Sequence, residues 1–499
     1  MLLTIVAFVV LLIILIFVHE LGHFLAAKAT GVRVEQFSLG FPPKLFSKKI
    51  GETEYQLAWL PIGGYVKLFG ETPGEEVKEE DKPRSFSHKP FWVKSVIVLA
   101  GPFFNVFFAI LVLWLLTWVM GVRHAPPTLG ILAPESPLAR AGLMTDDVVT
   151  SFDGKPVTFF DELGDYGESR DGSPAVVTVR RGDRTLSFEV TPERKTETTV
   201  LGDVENYWWF GFSPRNPPRV GQVIRGKPAR AAGIRRGDLI LSVNGTDTKD
   251  WTEVLTAIRK SSDGATSSGA VETASGDAGA DETAGSTAIS AAETEKAPAS
   301  AAEPAAIRFT VKRGDETLAF DVVPELEPLQ DYTGKTTFTP MVGISLDPDT
   351  VRVSVGPIAA FGGACRETYR MGALVLVSLK KLIRREISPK VMGGPIMIAE
   401  VAGQSIRSGF DNFIWLMAFI SVNLAILNLI PLPVLDGGQF LIFCLEFVKR
   451  SPISMKIKEV TQLVGITALV ALMIFVFYND IARLVTRHSG PAAVVEKTE

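Results

Sequence analysis

The first eighteen residues, Met1 to Val18, carry no charge, and the run ends directly in His19-Glu20-Leu21-Gly22-His23. That junction restricts the chain more than any other feature. A bilayer core requires about 20 apolar residues in a helix, so the run reads as a membrane span. Residues i and i+4 of a helix share a face, which brings His19 and His23 together as a pair of metal-binding imidazoles. Glu20 beside them is of the type that acts as general base next to zinc. Ionisable groups at membrane depth are costly to keep, so their presence argues for chemistry. The pattern implies one catalytic Zn²⁺, held by His19 and His23, with Glu20 as the catalytic base.

Three further runs are uncharged and long enough to span: 96–120, 412–435 and 460–479. The mean hydropathy of +0.23 agrees with a membrane protein. The first run lacks a basic leader and a small-residue cleavage site before the histidines, so it is expected to be retained rather than removed as a signal peptide. The apolar run Met371 to Leu379 is too short to span and is expected to form an amphipathic helix. Net charge is −4, which gives no support for nucleic-acid binding and leaves no nucleic-acid partner in prospect. Segment 31–94 carries ten Lys and Arg, and Lys449, Arg450, Lys456 and Lys458 lie between spans three and four. Basic loops stay on the cytoplasmic side, which places both termini and the 121–411 region on the other side.

The region after the second span contains a duplication. Pro137, Gly142, Asp147, Asp153, Gly154, Phe160 and Glu162 recur 91 residues later as Pro228, Gly233, Asp238, Asn244, Gly245, Trp251 and Glu253. Arg181-Gly182-Asp183 recurs 132 residues later as Arg313-Gly314-Asp315, so the second copy holds 41 additional residues. Their location is evident: 261–306 is dominated by Ala, Ser, Thr, Gly and acids, with eight acids against one Lys. Such a segment buries too little apolar surface to offset its ordering entropy, and it is expected to be a disordered acidic loop. Each copy reads as strand, short helix, strand, Asx-Gly turn, helix and hairpin. In the second these are Gln222–Ile224, Pro228–Ala232, Asp238–Val243, Trp251–Arg259, Ile307–Lys312 and Thr317–Val322. This order resembles the circularly permuted PDZ domains of bacterial envelope proteases. Such domains take peptides as added strands, so peptide C-termini are possible partners; the alternative is that the copies serve as bulky spacers.

Two histidines do not complete a zinc site, because catalytic zinc takes three protein ligands and keeps one open position. Two cysteines, Cys365 and Cys444, are too few for a thiolate site, and Cys444 lies by an apolar helix, so no disulfide is expected between them. His88, His124 and His488 are remote in sequence and read as loop or tail residues. The best third ligand is Asp436, which closes the third apolar run in Asn428-Leu429-Ile430-Pro431-Leu432-Pro433-Val434-Leu435-Asp436-Gly437-Gly438. Pro431 and Pro433 break a helix and free its backbone groups. Irregular backbone at membrane depth is tolerated where it lines a cavity. On residues alone, Asp436 is either a ligand or an interfacial acid marking a helix end.

The HExxH of span one, the Asn428 to Gly437 motif of span three and the two PDZ-like repeats between spans two and three resemble the site-2 protease family. Within it they resemble the sigma-E-regulating branch of Gram-negative bacteria. The resemblance covers nearly the whole chain outside 261–306. It implies an intramembrane zinc endopeptidase that cuts single-span membrane proteins within or near the bilayer. An anti-sigma factor already trimmed outside the membrane is the expected substrate, in an envelope stress response. It implies His19, His23 and Asp436 as zinc ligands, Glu20 as base, and Asn428 in contact with the substrate backbone, with Pro431 and Pro433 beside it. Gly63-Gly64-Tyr65 matches a substrate-binding β-loop that dips into the membrane, and Met392-Gly393-Gly394-Pro395-Ile396 matches a motif preceding span three. The expected location is the bacterial inner membrane, with termini and PDZ-like domains periplasmic and the active site toward the cytoplasm.

The expected fold class is therefore a multi-span α-helical membrane protein with four transmembrane helices, a membrane-associated β-loop and two tandem periplasmic PDZ-like α+β domains. The expected divisions are 1–30, a loop with a β-hairpin at 31–95, 96–120, PDZ-like domains at 121–195 and 215–325, linker helices at 350–411, 412–440, 459–480 and a tail at 481–499. Tyr55–Leu60 and Tyr65–Phe69 flank Pro61-Ile62-Gly63-Gly64, which reads as a hairpin turn. Its strand edge could hold an unwound substrate or be purely structural. Two other function classes are weighed: a non-catalytic PDZ membrane adaptor and a cation transporter. The intact His19, Glu20, His23 and Asp436 argue against the adaptor, and four spans with a zinc-ligand pattern argue against the transporter.

Overall fold

The computed structural model describes residues 2–72, 77–168, 170–199, 202–262 and 305–489. Residues 263–304 of the expected 261–306 insert, the end of the tail (490–499) and part of the Glu75–Asp81 run lie outside the described residues, and Ser261 and Ser262 end a helix instead of opening the loop. In chain order the helices are α1 (Leu2–Ala29), α2 (Phe91–Met120), α3 (Pro137–Arg140), α4 (Asp161–Glu168), α5 (Pro228–Ala232), α6 (Trp251–Ser262), α7 (Pro357–Ile383), α8 (Pro395–Ser408), α9 (Phe410–Asn428), α10 (Asp436–Lys449) and α11 (Met455–Ser489).

Four of them are long and apolar enough to cross a membrane: Leu2–Ala29, Phe91–Met120, Phe410–Asn428 and Met455–Thr486. Helix α2 is the hub, with α1, α7, α9 and α10 packed on it. Its contact with α1 is made by small residues. A side chain at Gly22 would collide with the Ala100 carbonyl, and one at Gly101 would collide with His23. Without a hydrophobic drive between helices in lipid, such close backbone approach is what associates them. The other face of α1 buries Leu11 and Leu15 against Ala402 of α8 and Phe413, Leu416 and Met417 of α9.

Two expectations about the helices change. The third span ends at Asn428, not at 435, and Asp436 opens α10 instead of closing α9. A proline disfavours helical backbone at the residue before it and donates no N–H, so Pro431 and Pro433 hold residues 429–435 out of either helix. The run Met371 to Leu379 is not a short separate helix but the middle of the 27-residue α7. Buried Ala360, Ala364, Thr368, Met371 and Val375 recur every three or four residues there, forming one buried stripe whose Ala364 and Met371 pack with Ala109, Leu113, Ala418 and Val422.

The β-loop also differs from expectation. Strands Val34–Ile50 and Thr53–Leu68 are joined at Gly51-Glu52, and Pro61 to Gly64 lie inside the second strand. Both strands bend, so Val34–Leu39 is flanked on both sides: Phe37 faces Tyr55 and Val66, and Ser38 faces Gln56 and Tyr65. The two runs expected to pair with each other instead sit either side of a shared third segment. The glycines at 63 and 64 serve close approach, not reversal. A side chain at Gly63 would strike the Phe41 ring, and one at Gly64 would reach 2.8 Å from Glu20 Cγ and 2.9 Å from the Ser38 carbonyl.

The duplication is borne out as two matching sheets. The first orders Lys155–Pro156, Val148–Phe152, Ala175–Arg181 and Arg184–Val190; the second orders Thr246–Asp247, Leu239–Val243, Ile307–Arg313 and Glu316–Val322. The residues that recur at the two different offsets meet in space. Arg181 Nε and Nη2 donate to Asp147 at 2.8 and 2.7 Å, and Nη2 also donates to the Gly142 carbonyl. Arg313 repeats this on Asp238, at 2.7 Å twice, and on the Gly233 carbonyl. Both aspartates are 1% exposed, so each fork pairs a carboxylate that burial would otherwise penalise. The Asx-Gly turns match as well: Asp153 and Asn244 have φ of 50° and 49° and accept from Val176 and Arg308 N–H.

Burial alone would push the Asp238 carboxyl up, but the Arg313 fork and the Arg235 N–H outweigh it and hold it below the usual carboxylate range. A depressed folded-state value contributes stability above the unfolded-state pKa of about 3.9, and that contribution is lost as pH falls through the folded-state value. Replacing Asp238 with Ala should cost the second repeat about 2–3 kcal/mol. Limited proteolysis of the full chain at pH 7 should then cut within residues 220–346 faster than in the wild type. The difference should narrow below about pH 4; equal cutting at pH 7 would show that the fork is not stabilising.

Candidate metal centre

Helix periodicity sets His19 and His23 one turn apart on α1, with their Nε2 atoms 3.2 Å from each other. Asp436, at the first turn of α10, brings Oδ2 to 3.2 Å from His19 Nε2 and Oδ1 to 3.6 Å from His23 Nε2. Ligand atoms of the three residues lie within 4.8 Å of one another. A carboxylate is favoured at a helix N-terminus, which is where the break at 429–435 leaves Asp436. Gly437 and Gly438 admit the loop, since a side chain on either would strike the Leu429 or Leu432 carbonyl.

The His23 Nδ1 lies 2.8 Å from the Ile97 carbonyl of α2. It donates there, which fixes the tautomer and leaves Nε2 facing Asp436. Asp436 Oδ2 is buried without a hydrogen-bond partner. A buried carboxylate oxygen without a donor is expensive, and a cation between the three residues removes the penalty. Glu20, on the same turn of α1, is buried with only 9% exposure and faces the strand at Gly64.

The other expected residues fall at graded distances. Asn428, at the end of α9, places Nδ2 3.4 Å from His19 Nε2. Gly64 borders Glu20, while Gly63 packs on Phe41. The Tyr65 hydroxyl donates to Gln36 and Gln56 at 3.3 and 3.4 Å and so is tied into the β-loop. Pro431 and Pro433 lie in the irregular stretch that leads to Asp436. The Met392 to Ile396 motif leads into α8, and the N–H groups of its Gly394 and Ile396, with that of the next residue Met397, donate to Asp480 of α11. His88 bonds to Ser85 and Ser87, and His124 meets Asp161 and stacks on Phe159, so neither joins the centre.

The peptidase family M50 model matches residues 7–472 of the chain. The chain belongs to peptidase family M50. Protease RseP of Yersinia pestis is 32% identical over 96% of this chain and 98% of that one. The regulator of sigma-E protease RseP of Salmonella typhimurium is 30% identical with the same coverage. A Ralstonia nicotianae protein carrying a zinc metalloprotease name is 32% identical over 97% of this chain and its whole own length. The M50 chain described here is thus a site-2-type zinc metalloprotease. Its His₂Asp set fits zinc on chemistry: two imidazole nitrogens and one carboxylate make three ligands with room for a fourth.

One residue escaped the sequence reading. Asn105 of α2 is fully buried, and its Nδ2 lies 3.2 Å from His19 Nδ1. Its Oδ1 has no partner. A histidine that ligates through Nε2 carries its proton on Nδ1. Amide oxygen and nitrogen are interchangeable in placement, so the amide turned over lets Oδ1 accept that proton, as the Ile97 carbonyl does for His23. The available signal was a lone amide in an uncharged span, one helical turn from Gly101, which itself touches both histidines.

Replacing Asn105 with Leu should weaken zinc retention by about 10–100-fold, the usual effect of losing a partner of a ligating histidine. Asn105→Asp, which keeps the acceptor, should retain it. Metal analysis after dialysis against graded chelator reads the difference; a Leu variant holding zinc like the wild type would remove Asn105 from this role.

Proposed function

We propose that this M50 protease cuts single-span membrane proteins within or near their transmembrane segments. The observation that carries the reading is the meeting of His19, Glu20, His23 and Asp436 beside a strand that has no second strand partner among the described residues. His19, His23 and Asp436 would hold the zinc, which when bound would polarise a peptide carbonyl and lower the pKa of a water toward ~7. Glu20 takes a proton from that water and returns it to the leaving amine. Asn428, 3.4 Å from His19, is placed to donate its amide N–H to the substrate backbone beside the centre.

A substrate helix hides its carbonyls in its own hydrogen bonds, so it must unwind before it is cut. Segment Gly64–Leu68 pairs on one side with Val34–Leu39, and among the described residues its other edge has no strand partner. An unwound substrate adding there as a strand would run past Glu20, because Gly64 leaves no side chain between them. Gly63 and Tyr65 support this strand, and Pro431 and Pro433 keep the Asn428–Asp436 stretch irregular and open to the substrate.

The regulator of sigma-E name of a relative supports an anti-sigma factor, already trimmed on one side, as the natural substrate. The two repeats, with their matching sheets and Asp–Arg forks, are read as PDZ-like modules that select such trimmed chains by capturing a peptide end or by their bulk. The ten basic residues of segment 31–94 support an inner-membrane orientation with that loop cytoplasmic and the repeats periplasmic.

Replacing Glu20 with Gln should lower cleavage of a membrane-anchored substrate by about 10²–10⁴-fold while zinc content stays at the wild-type level. Replacing His23 with Ala should lose both. A Glu20→Gln protein that cuts as fast as the wild type would sink the mechanism and leave an adaptor role standing. Protease added to intact spheroplasts should reach 121–411 and spare 31–95; the reverse pattern would overturn the orientation.

A further inference from the structure

A cavity of about 1330 Å³ lies between the second repeat, α8 and the first turn of α1. It is larger than usual small-molecule pockets. None of the four residues of the metal centre lines it, nor does any residue of α6. Its charge is opposite to that of the chain: six basic residues and two acidic ones line it, while the chain carries −4. Lys227 is paired with Glu325 and Glu327, and Arg407 donates to Thr4. Arg225, Arg230 and Arg236 make no ion pair among the described residues and are exposed to the cavity space.

The opposite wall is mixed: Leu3, Ile5, Ile396 and Ala399 are apolar, and Thr4, Glu400, Gln404, Arg407 and Ser408 of α1 and α8 are polar. Leu3 and Ile5 of α1 line the cavity, and Leu2 and Val6 continue the exposed apolar surface along the same helix end. If α1 is a span, as its length and composition make it, its first turn lies at the bilayer surface. A ligand seated here meets guanidinium groups on one side and a hydrocarbon-facing surface on the other. We propose that the cavity binds an anionic phospholipid, with the phosphate headgroup among Arg225, Arg230 and Arg236 and the acyl chains along Leu2 to Val6. Guanidinium groups recognise phosphate by paired N–H donors, and basic groups at a membrane surface concentrate anionic lipids. A soluble anion would use the arginines but leave the exposed apolar end of α1, Leu2 to Val6, uncovered. The bound lipid would tether the second repeat to the membrane beside α1, a link that Ser408 donating to Gln222 already begins.

The test uses the purified full chain in zwitterionic detergent. It is titrated with dioctanoyl phosphatidylglycerol, dioctanoyl phosphatidylcholine, inorganic phosphate and an oligoglutamate peptide, and bound ligand is counted by native mass spectrometry. Phosphatidylglycerol should saturate one site at least about tenfold more tightly than phosphatidylcholine or phosphate. The triple variant Arg225→Gln, Arg230→Gln, Arg236→Gln should lose about tenfold or more of that affinity. The control Arg180→Gln, Arg184→Gln, Arg194→Gln, with the same charge removed from the first repeat, should not. Equal affinity for the two lipids, or an unchanged affinity in the first triple variant, overturns the proposal. Phosphate binding as tightly as phosphatidylglycerol makes the site one for free anions. Oligoglutamate that binds and is not displaced by the lipid makes it a site for an acidic protein.

Discussion

The whole catalytic arrangement depends on how closely α1 and α2 approach. Gly22 lies against the Ala100 carbonyl, and Gly101 lies against the two histidine rings. Only that contact brings the Ile97 carbonyl and the Asn105 amide within reach of the outward nitrogens of His23 and His19. Small residues in a lipid-facing pair are usually read as packing devices. Here the same contact orients both imidazoles of the candidate metal centre. Tight packing and ligand geometry are one constraint, and bulk at either glycine would disturb both.

The third span solves the complementary problem. A continuous helix from 410 to 449 would carry Asp436 past the histidines on its own periodicity. Pro431 and Pro433 end it at Asn428, and the chain restarts at Asp436, where the new helix favours a carboxylate in its first turn. The break also puts Asn428 within 3.4 Å of His19. The β-loop approaches from a third direction, and Gly64 lets its strand pass Glu20 without a side chain between them. Two stretches of non-helical backbone, the break at 429–435 and the β-loop, thus meet beside the packed pair α1 and α2.

Outside the helical bundle, the repeats show how a charge can hold a small domain together. Each carries one buried aspartate held by a bidentate arginine from the first strand of its hairpin, and the same arginine also takes a carbonyl of the glycine that ends its short helix. The two residues stand 34 positions apart in the first copy and 75 in the second. The acidic insert thus enters between partners without separating them.

Local patterns in the sequence determined the spans, the histidine pair with Glu20, the candidacy of Asp436 and the duplication, because each depends on periodicity, charge or spacing within a short window. What required the tertiary structure was every relation between distant segments. Asn105 was invisible because one amide in a span says nothing until a histidine faces it. The Pro61 to Gly64 stretch reads as a turn because Pro and Gly usually reverse a chain, whereas here Gly64 yields space to Glu20 from another helix. Likewise, Asp147 and Arg181 each recur in the sequence, but only folding joins them. A hydrogen bond or a ligand set forms between surfaces, and a linear pattern records only the surfaces' own periodicity.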